Sequence, residues 1–113
     1  MMKKVVAIIR EQQLEAVIER LVRIGVRSLT ITSVKGAGRS GGRREVYRGS
    51  AYNALFVPKV QLEWYGPDEQ SDAVVRAIVL RAATGKIGDG KIFVFPVEEA
   101  VRIRTGERGR DAV

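Results

Sequence analysis

VVAIIREQQLEAVIERLVRIGVRSLTITSV, residues Val5 to Val34, changes its hydrophobic period twice, and those changes decide the fold. Val5 to Ile9 is an unbroken apolar run rich in β-branched residues, the pattern of a buried strand. Leu14, Val17, Ile18, Leu21 and Val22 then recur at helical spacing, and Gly25 follows as a C-terminal stop. From Val26 to Val34 the period drops to two, with Leu29 and Ile31 on one side and Thr30 and Thr32 on the other. The stretch is therefore a β-α-β unit.

A second unit lies further along. Asn53 to Tyr65 reads as a long strand whose apolar parity changes, from Leu55 and Val57 to Val60, Leu62 and Trp64. Pro58 sits at the change, so a bend or bulge is expected there. Gly66-Pro67-Asp68 turns the chain into a helix with a stripe of Val74, Val75, Ile78, Val79 and Ala82, ended by Gly85. Ile92 to Phe95 is a fourth strand, and Val101 to Arg104, beyond the Pro96 turn, has the pattern of a short extra one. Two β-α-β halves predict an α+β fold of the ferredoxin-like, split βαβ kind, a four-stranded sheet with both helices on one face. The runs VVAII and IFVF are apolar on both faces, so the open sheet face needs a cover. Self-association supplies one economically.

At 113 residues the chain is long enough for one domain with a real core, and 45% apolar against 29% charged residues excludes a disordered chain. No apolar run approaches the roughly 20 residues that span a bilayer, and MMKKVVAIIR is too short for a signal peptide, so no membrane insertion and a cytoplasmic location are expected. Without cysteine or histidine, disulfides, thiol chemistry, the usual zinc sites and the commonest general base are missing. The net charge is +7, concentrated in Lys35 to Arg48 and Arg102 to Arg110. Such clusters invite phosphate, on nucleic acid or on a small nucleotide. The segment Gly36 to Ala51, with five glycines and four arginines, carries no core pattern, and a connection of that length is usually functional or disordered.

Gly85 to Lys91 satisfies the spacing G-x-x-x-x-G-K. It is not a Walker loop: Ile92 stands where the magnesium-holding hydroxyl would be, and the segment leaves a helix and opens a strand, so no helix N-terminus faces the ligand. A helix end followed by an Asp-Gly turn accounts for these residues equally well. Gly88 and Gly90 nevertheless let backbone approach an anion closely, and Lys91, Arg102 and Arg104 supply cations in the same third of the chain. No acidic pair, Ser-His pair or metal cluster with catalytic spacing is apparent, which points away from an enzyme.

Three stretches resemble the PII nitrogen-regulatory signal proteins. TGKIGDGKIFVFPVEEAVRIRTGE, Thr84 to Glu107, is similar to that family's B-loop, fourth strand and C-terminal loop. EVYRGSAY followed by FVPKV resembles the return of its T-loop, and TSVKGAGR the start of that loop. The resemblance implies one PII-type domain over residues 1–113, with a T-loop at 36–54, a B-loop at 84–91 and a C-terminal loop and tail at 102–113. It also implies a homotrimer that binds ATP or ADP, with Mg²⁺ possible alongside ATP, in clefts between subunits. Carried over, the nucleotide would meet Ile8, Thr30, Gly36, Gly38, Arg39, Tyr65, Thr84, Gly88, Asp89, Gly90, Lys91, Arg102 and Arg104. The phosphates would lie at Gly38, Gly88 to Gly90, Lys91 and the two arginines, and the adenine end at Ile8, Thr30, Gly36 and Tyr65. A sensor of this kind acts on ammonium transporters or nitrogen-assimilation enzymes through the T-loop. Tyr52 matches the tyrosine uridylylated in many members, and Ser50 the serine phosphorylated in others.

The chain also departs from the family. Ser40 stands where typical members have a glutamine that helps hold the magnesium bridging ATP and 2-oxoglutarate. Serine is about two bonds shorter, and magnesium tolerates little error in its octahedron. Ser40, Lys59 and Gly88 are the corresponding 2-oxoglutarate residues, and only Lys59, which matches the carboxylate-binding lysine, and Gly88 are kept. Nucleotide binding is expected, and 2-oxoglutarate binding is left open. The loop body Gly41-Gly42-Arg43-Arg44-Glu45 is more basic than usual, and Glu11-Gln12-Gln13 lacks the common proline. Two other readings remain: a PII-like sensor of another small ligand such as bicarbonate or a different nucleotide, and a basic nucleic-acid-binding module. The second lacks the glycine-aromatic motif of RNA-reading sheets, so no direct nucleic-acid contact is expected. Trp64, Phe93 and Phe95 read as core or interface, and Glu63 as the partner of a lysine.

Overall fold

Four strands pair in the order β2-β3-β1-β4, every neighbour antiparallel. The computed structural model describes residues 1–37 and 56–113. In chain order its elements are β1 (Met2–Arg10), α1 (Leu14–Arg23), β2 (Thr30–Ala37), β3 (Phe56–Pro67), α2 (Asp68–Ala82) and β4 (Gly90–Val97). Single turns of 3₁₀ helix lie at Glu11–Gln13 and Gly109–Ala112. The sequence expectation of a ferredoxin-like α+β fold is met.

The period of each element shows how the core forms. Along β1, Val5, Ala7 and Ile9 face the helices; their partners Trp64, Leu62 and Val60 on β3 face the same way. Val17 and Leu21 from α1 and Val74, Ala77, Ile78 and Ala82 from α2 close over them in one apolar cluster. Both helices thus cover one face. Helix α1 ends as Gly25 predicts: its φ is 98°, its N–H donates to Val22 O at 3.0 Å, and Val26 N–H donates to Leu21 O at 3.0 Å. That is the Schellman pattern, in which a residue free to take positive φ satisfies the last carbonyls.

Three expectations need correction. The β2–β3 register runs unbroken from Thr30↔Glu63 to Ala37↔Phe56, so there is no bulge at Pro58. β1 ends opposite Lys59, leaving Pro58 paired only with Lys35 of β2, and its missing N–H costs nothing on the vacant side. Within the stripes, Val22 and Val79 are exposed, and Ala77 takes a place in the core instead. Val101 to Arg104 is not a strand: Val101 makes one isolated bridge to Arg108, around a turn.

The other sheet face carries Lys4, Val6, Ile8, Tyr65, Phe93 and Phe95. Phe93 and Phe95 are 46% and 47% exposed. Lys4 lies over the Tyr65 and Phe95 rings, 5.6 and 5.7 Å from their centres, and pairs with Glu63 at 3.2 Å. Glu63 is the lysine partner the sequence suggested, and its hydrogen bond raises the Lys4 pKa above the ordinary value. Among the described residues no helix is long and apolar enough to cross a membrane.

Candidate functional site

The loop between α2 and β4 is organised by one side chain. The Asp89 carboxylate accepts from Thr84 N–H at 2.7 Å, Thr84 Oγ1 at 2.5 Å, Gly85 N–H at 2.9 Å and Arg10 Nε at 3.0 Å. These donors, the Thr84 hydroxyl first, hold its pKa far below the usual carboxylate range. Arg10 also donates from Nη2 to the Ile87 carbonyl at 2.7 Å. Lys59, directly opposite Arg10 on β3, donates from Nζ to the Gly88 carbonyl. Two cations facing each other across a strand pair would repel; here the loop's oxygens lie against both. Lys59 is buried, and desolvation, with Arg10 nearby, lowers its pKa.

Two glycines make the loop possible. Gly88 and Gly90 have φ of 105° and 103°, and a Cβ on Gly90 would stand 1.8 Å from the Ile8 carbonyl oxygen. The loop can therefore lie directly on β1. Beside it is a hollow of about 600 Å³ lined by Ile8, Gly36, Lys59, Lys86, Gly88 to Lys91 and Phe93.

A second hollow, about 630 Å³, lies at the opposite end of the sheet and is lined by Thr30, Glu63, Tyr65, Val97, Arg102 and others. The C-terminal segment forms its wall as a small hairpin: Arg102 N–H donates to Glu107 O at 2.9 Å, and Gly109 N–H to Ala100 O at 2.9 Å. The Arg102 guanidinium donates to the Glu107 carboxylate at 2.7 Å.

The sequence-derived residues thus fall into two groups. Ile8, Gly36, Lys59, Gly88, Asp89, Gly90 and Lys91 meet at the loop hollow, with Thr84 behind them on Asp89. Thr30, Tyr65 and Arg102 meet at the hairpin hollow. Arg104 is exposed in the turn and lines neither hollow. Thr30 and Gly36 lie at opposite ends of β2, as Lys91 and Val97 do on β4, a span of roughly 20 Å at about 3.3 Å per residue. Within one chain Lys91 and Arg102 do not converge. Gly38, Arg39, Ser40, Ser50 and Tyr52 lie outside the described residues. Arg10 and Glu107 were missed by the sequence reading. A basic residue ending an apolar strand was the only signal for Arg10, and Glu107 shows itself only once the hairpin is closed.

Among the described residues no group of three Asp or Glu side chains stands together as a metal cage, and the Asp89 oxygens are already engaged. The described donors at the loop hollow suit an anion and do not fit a resident magnesium ion.

A four-stranded antiparallel sheet backed by two helices, with a glycine loop at one end and a basic hairpin at the other, defines a ferredoxin-like α+β protein with two candidate anion seats. Comparison with known proteins takes this further. The family model for nitrogen regulatory protein P-II matches residues 2–107. The nitrogen regulatory protein P-II of Cereibacter sphaeroides is 54% identical over 99% of this chain and 100% of its own length. That of Haemophilus influenzae is 53% identical over the same shares. The crystal structure of Arabidopsis thaliana PII bound to citrate superposes with a TM-score of 0.83 at 38% identity, over 99% of this chain and 92% of that one. The chain belongs to the PII family of nitrogen regulatory proteins, and its role is regulatory, in nitrogen metabolism.

Proposed function

We propose that the chain is an adenine-nucleotide sensor, a cytoplasmic homotrimer whose ATP or ADP lies between neighbouring subunits. One observation carries this: the candidate residues are split between two hollows at opposite ends of a single sheet. One nucleotide can touch both groups only when the loop end of one copy lies against the hairpin end of the next. Such a head-to-tail contact generates a closed ring when the rotation closes. The half-exposed Phe93 and Phe95 on the open sheet face supply the apolar surface for that assembly. A relative that takes up citrate, a tricarboxylate, is in keeping with a polyanion seat in this family.

The nucleotide is read and not turned over. Asp89 is the one carboxylate among the described residues lining the loop hollow, and its four donors leave it a poor base. Binding changes the charge beside the root of the 36–54 loop, and that loop acts on an ammonium transporter or a nitrogen-assimilation enzyme. Magnesium, where it accompanies ATP, is carried by the phosphate oxygens. Lys59 gives one of its three N–H donors to the Gly88 carbonyl and keeps two that could meet a keto acid's carboxylate, so 2-oxoglutarate is a second candidate ligand of this hollow.

Subunit complementation tests the reading. Lys91→Gln and Arg102→Gln proteins should each lose most ATP affinity by calorimetry. Mixed trimers, re-formed from both, should regain it, because each contains a seam where an intact loop meets an intact hairpin. Mixtures as inert as their parents would contradict a shared site.

A further inference from the structure

Loop 84–91 carries half of the proposed nucleotide site, yet its shape is set from outside it. Arg10, the last residue of β1, forks between the Asp89 carboxylate and the Ile87 carbonyl, at 3.0 and 2.7 Å. Asp89 in turn gathers Thr84 and Gly85 at the loop's other end. Lys59 holds the carbonyl between, that of Gly88. Every one of these bonds ties loop to strand or loop to itself. Gly88 and Gly90, at positive φ and without a Cβ to limit them, need such restraint to keep one conformation.

We propose that Arg10 is a positioning residue for the ligand site: acting through Asp89 and the Ile87 carbonyl, it latches the 84–91 loop into the one shape that presents Lys91 and the glycine backbone to a polyphosphate. This rests on the nucleotide reading above and adds to it the part that fixes the loop in advance. Preorganisation of this kind strengthens binding by removing the ordering cost from the binding step. The fork geometry matters, because a guanidinium reaches two acceptors at fixed angles and an ammonium does not.

The latch and simple charge make opposite predictions. Asp89 is negative, so on charge alone its removal should tighten the hold on a polyanion. Through the latch, Asp89→Asn keeps one acceptor oxygen but sets an NH2 against the other pair of donors, and it should weaken ATP and inorganic tripolyphosphate binding about tenfold. Arg10→Lys keeps the charge but not the fork and should weaken both several-fold. In the ligand-free variants, backbone NMR heteronuclear NOE values at Gly88 and Gly90 should fall while those of β1 and β3 hold, a change that a general loss of stability would not confine to the loop. Asp89→Asn binding as tightly as the unaltered protein or tighter, or Arg10→Lys matching it, would overturn the latch alone. An unaltered protein that takes up neither ATP nor tripolyphosphate would bring down the site reading, and the latch with it.

Discussion

Asp89 lines a hollow whose other charged residues are lysines, yet its carboxylate is taken up by donors of its own loop and by Arg10. An unperturbed aspartate titrates near about 3.9, and four donors hold this one far lower. For a depressed carboxylate, the stabilising contribution is fully present above the unfolded value and disappears only as pH falls through the folded one. The loop bonds should therefore survive at pH 3, where an ordinary aspartate is mostly protonated. Carbon-13 detection of the Asp89 carboxyl during acid titration reads this directly; a midpoint near 4 would mean the donors do not hold it. The same residue shows what sequence leaves out at this scale: resemblance places Asp89 at the ligand loop, and the structure adds that its carboxylate oxygens accept from Thr84, Gly85 and Arg10.

At the scale of the element, periodicity marks the face of a helix but not how far the face is covered. Leu21 and Val22 belong to one stripe by spacing, but Leu21 is fully buried and Val22 is 60% exposed. Leu21→Ala should cost about 2–5 kcal/mol in urea unfolding at fixed protein concentration, whereas Val22→Ala should stay within about 0.5. Equal costs would mean that α1 is rotated from the position described. β1 and β4 were legible as short unbroken apolar runs and β3 as an alternating one, and from their order with the two helical stripes followed the ferredoxin-like topology. Strand ends were less legible: β2 begins at Thr30, four residues later than its apolar pattern, because Val26 is taken up in capping α1. The parity change at Pro58 misled for a related reason. It reflects β3 outrunning β1, so that Val57 has β2 alone beside it, and not an extra residue in the strand. Arg10 was silent in sequence because its acceptors, Asp89 and the Ile87 carbonyl, lie 79 and 77 positions away in the chain and meet it only once the sheet is paired.

For the whole molecule, the question is what covers the second sheet face. Val6 and Met2 are already buried there by their neighbours, but Phe93, Phe95 and Tyr65 leave ring surface open, with Lys4 lying against two of the rings. Aromatic rings on an uncovered ferredoxin-like sheet suit either stacking on bases or packing against further copies of the chain. The Lys4–Glu63 pair favours packing. It neutralises the lysine within the face, where an RNA-binding sheet would keep that charge for phosphate. The protein should therefore run at the mass of a trimer in light scattering at micromolar concentration. Phe95→Arg places a second cation beside Lys4 in each copy of a chain already at +7, and burying those charges together is costly. The variant should fall to the mass of a single chain while keeping its far-ultraviolet circular dichroism, since the helix-side core is untouched. It should lose ATP binding at the same time, because the two halves of the seat no longer meet. A Phe95→Arg monomer that still bound ATP at full strength would place the whole site within one chain, and the division between the two ends of the sheet would then need another explanation.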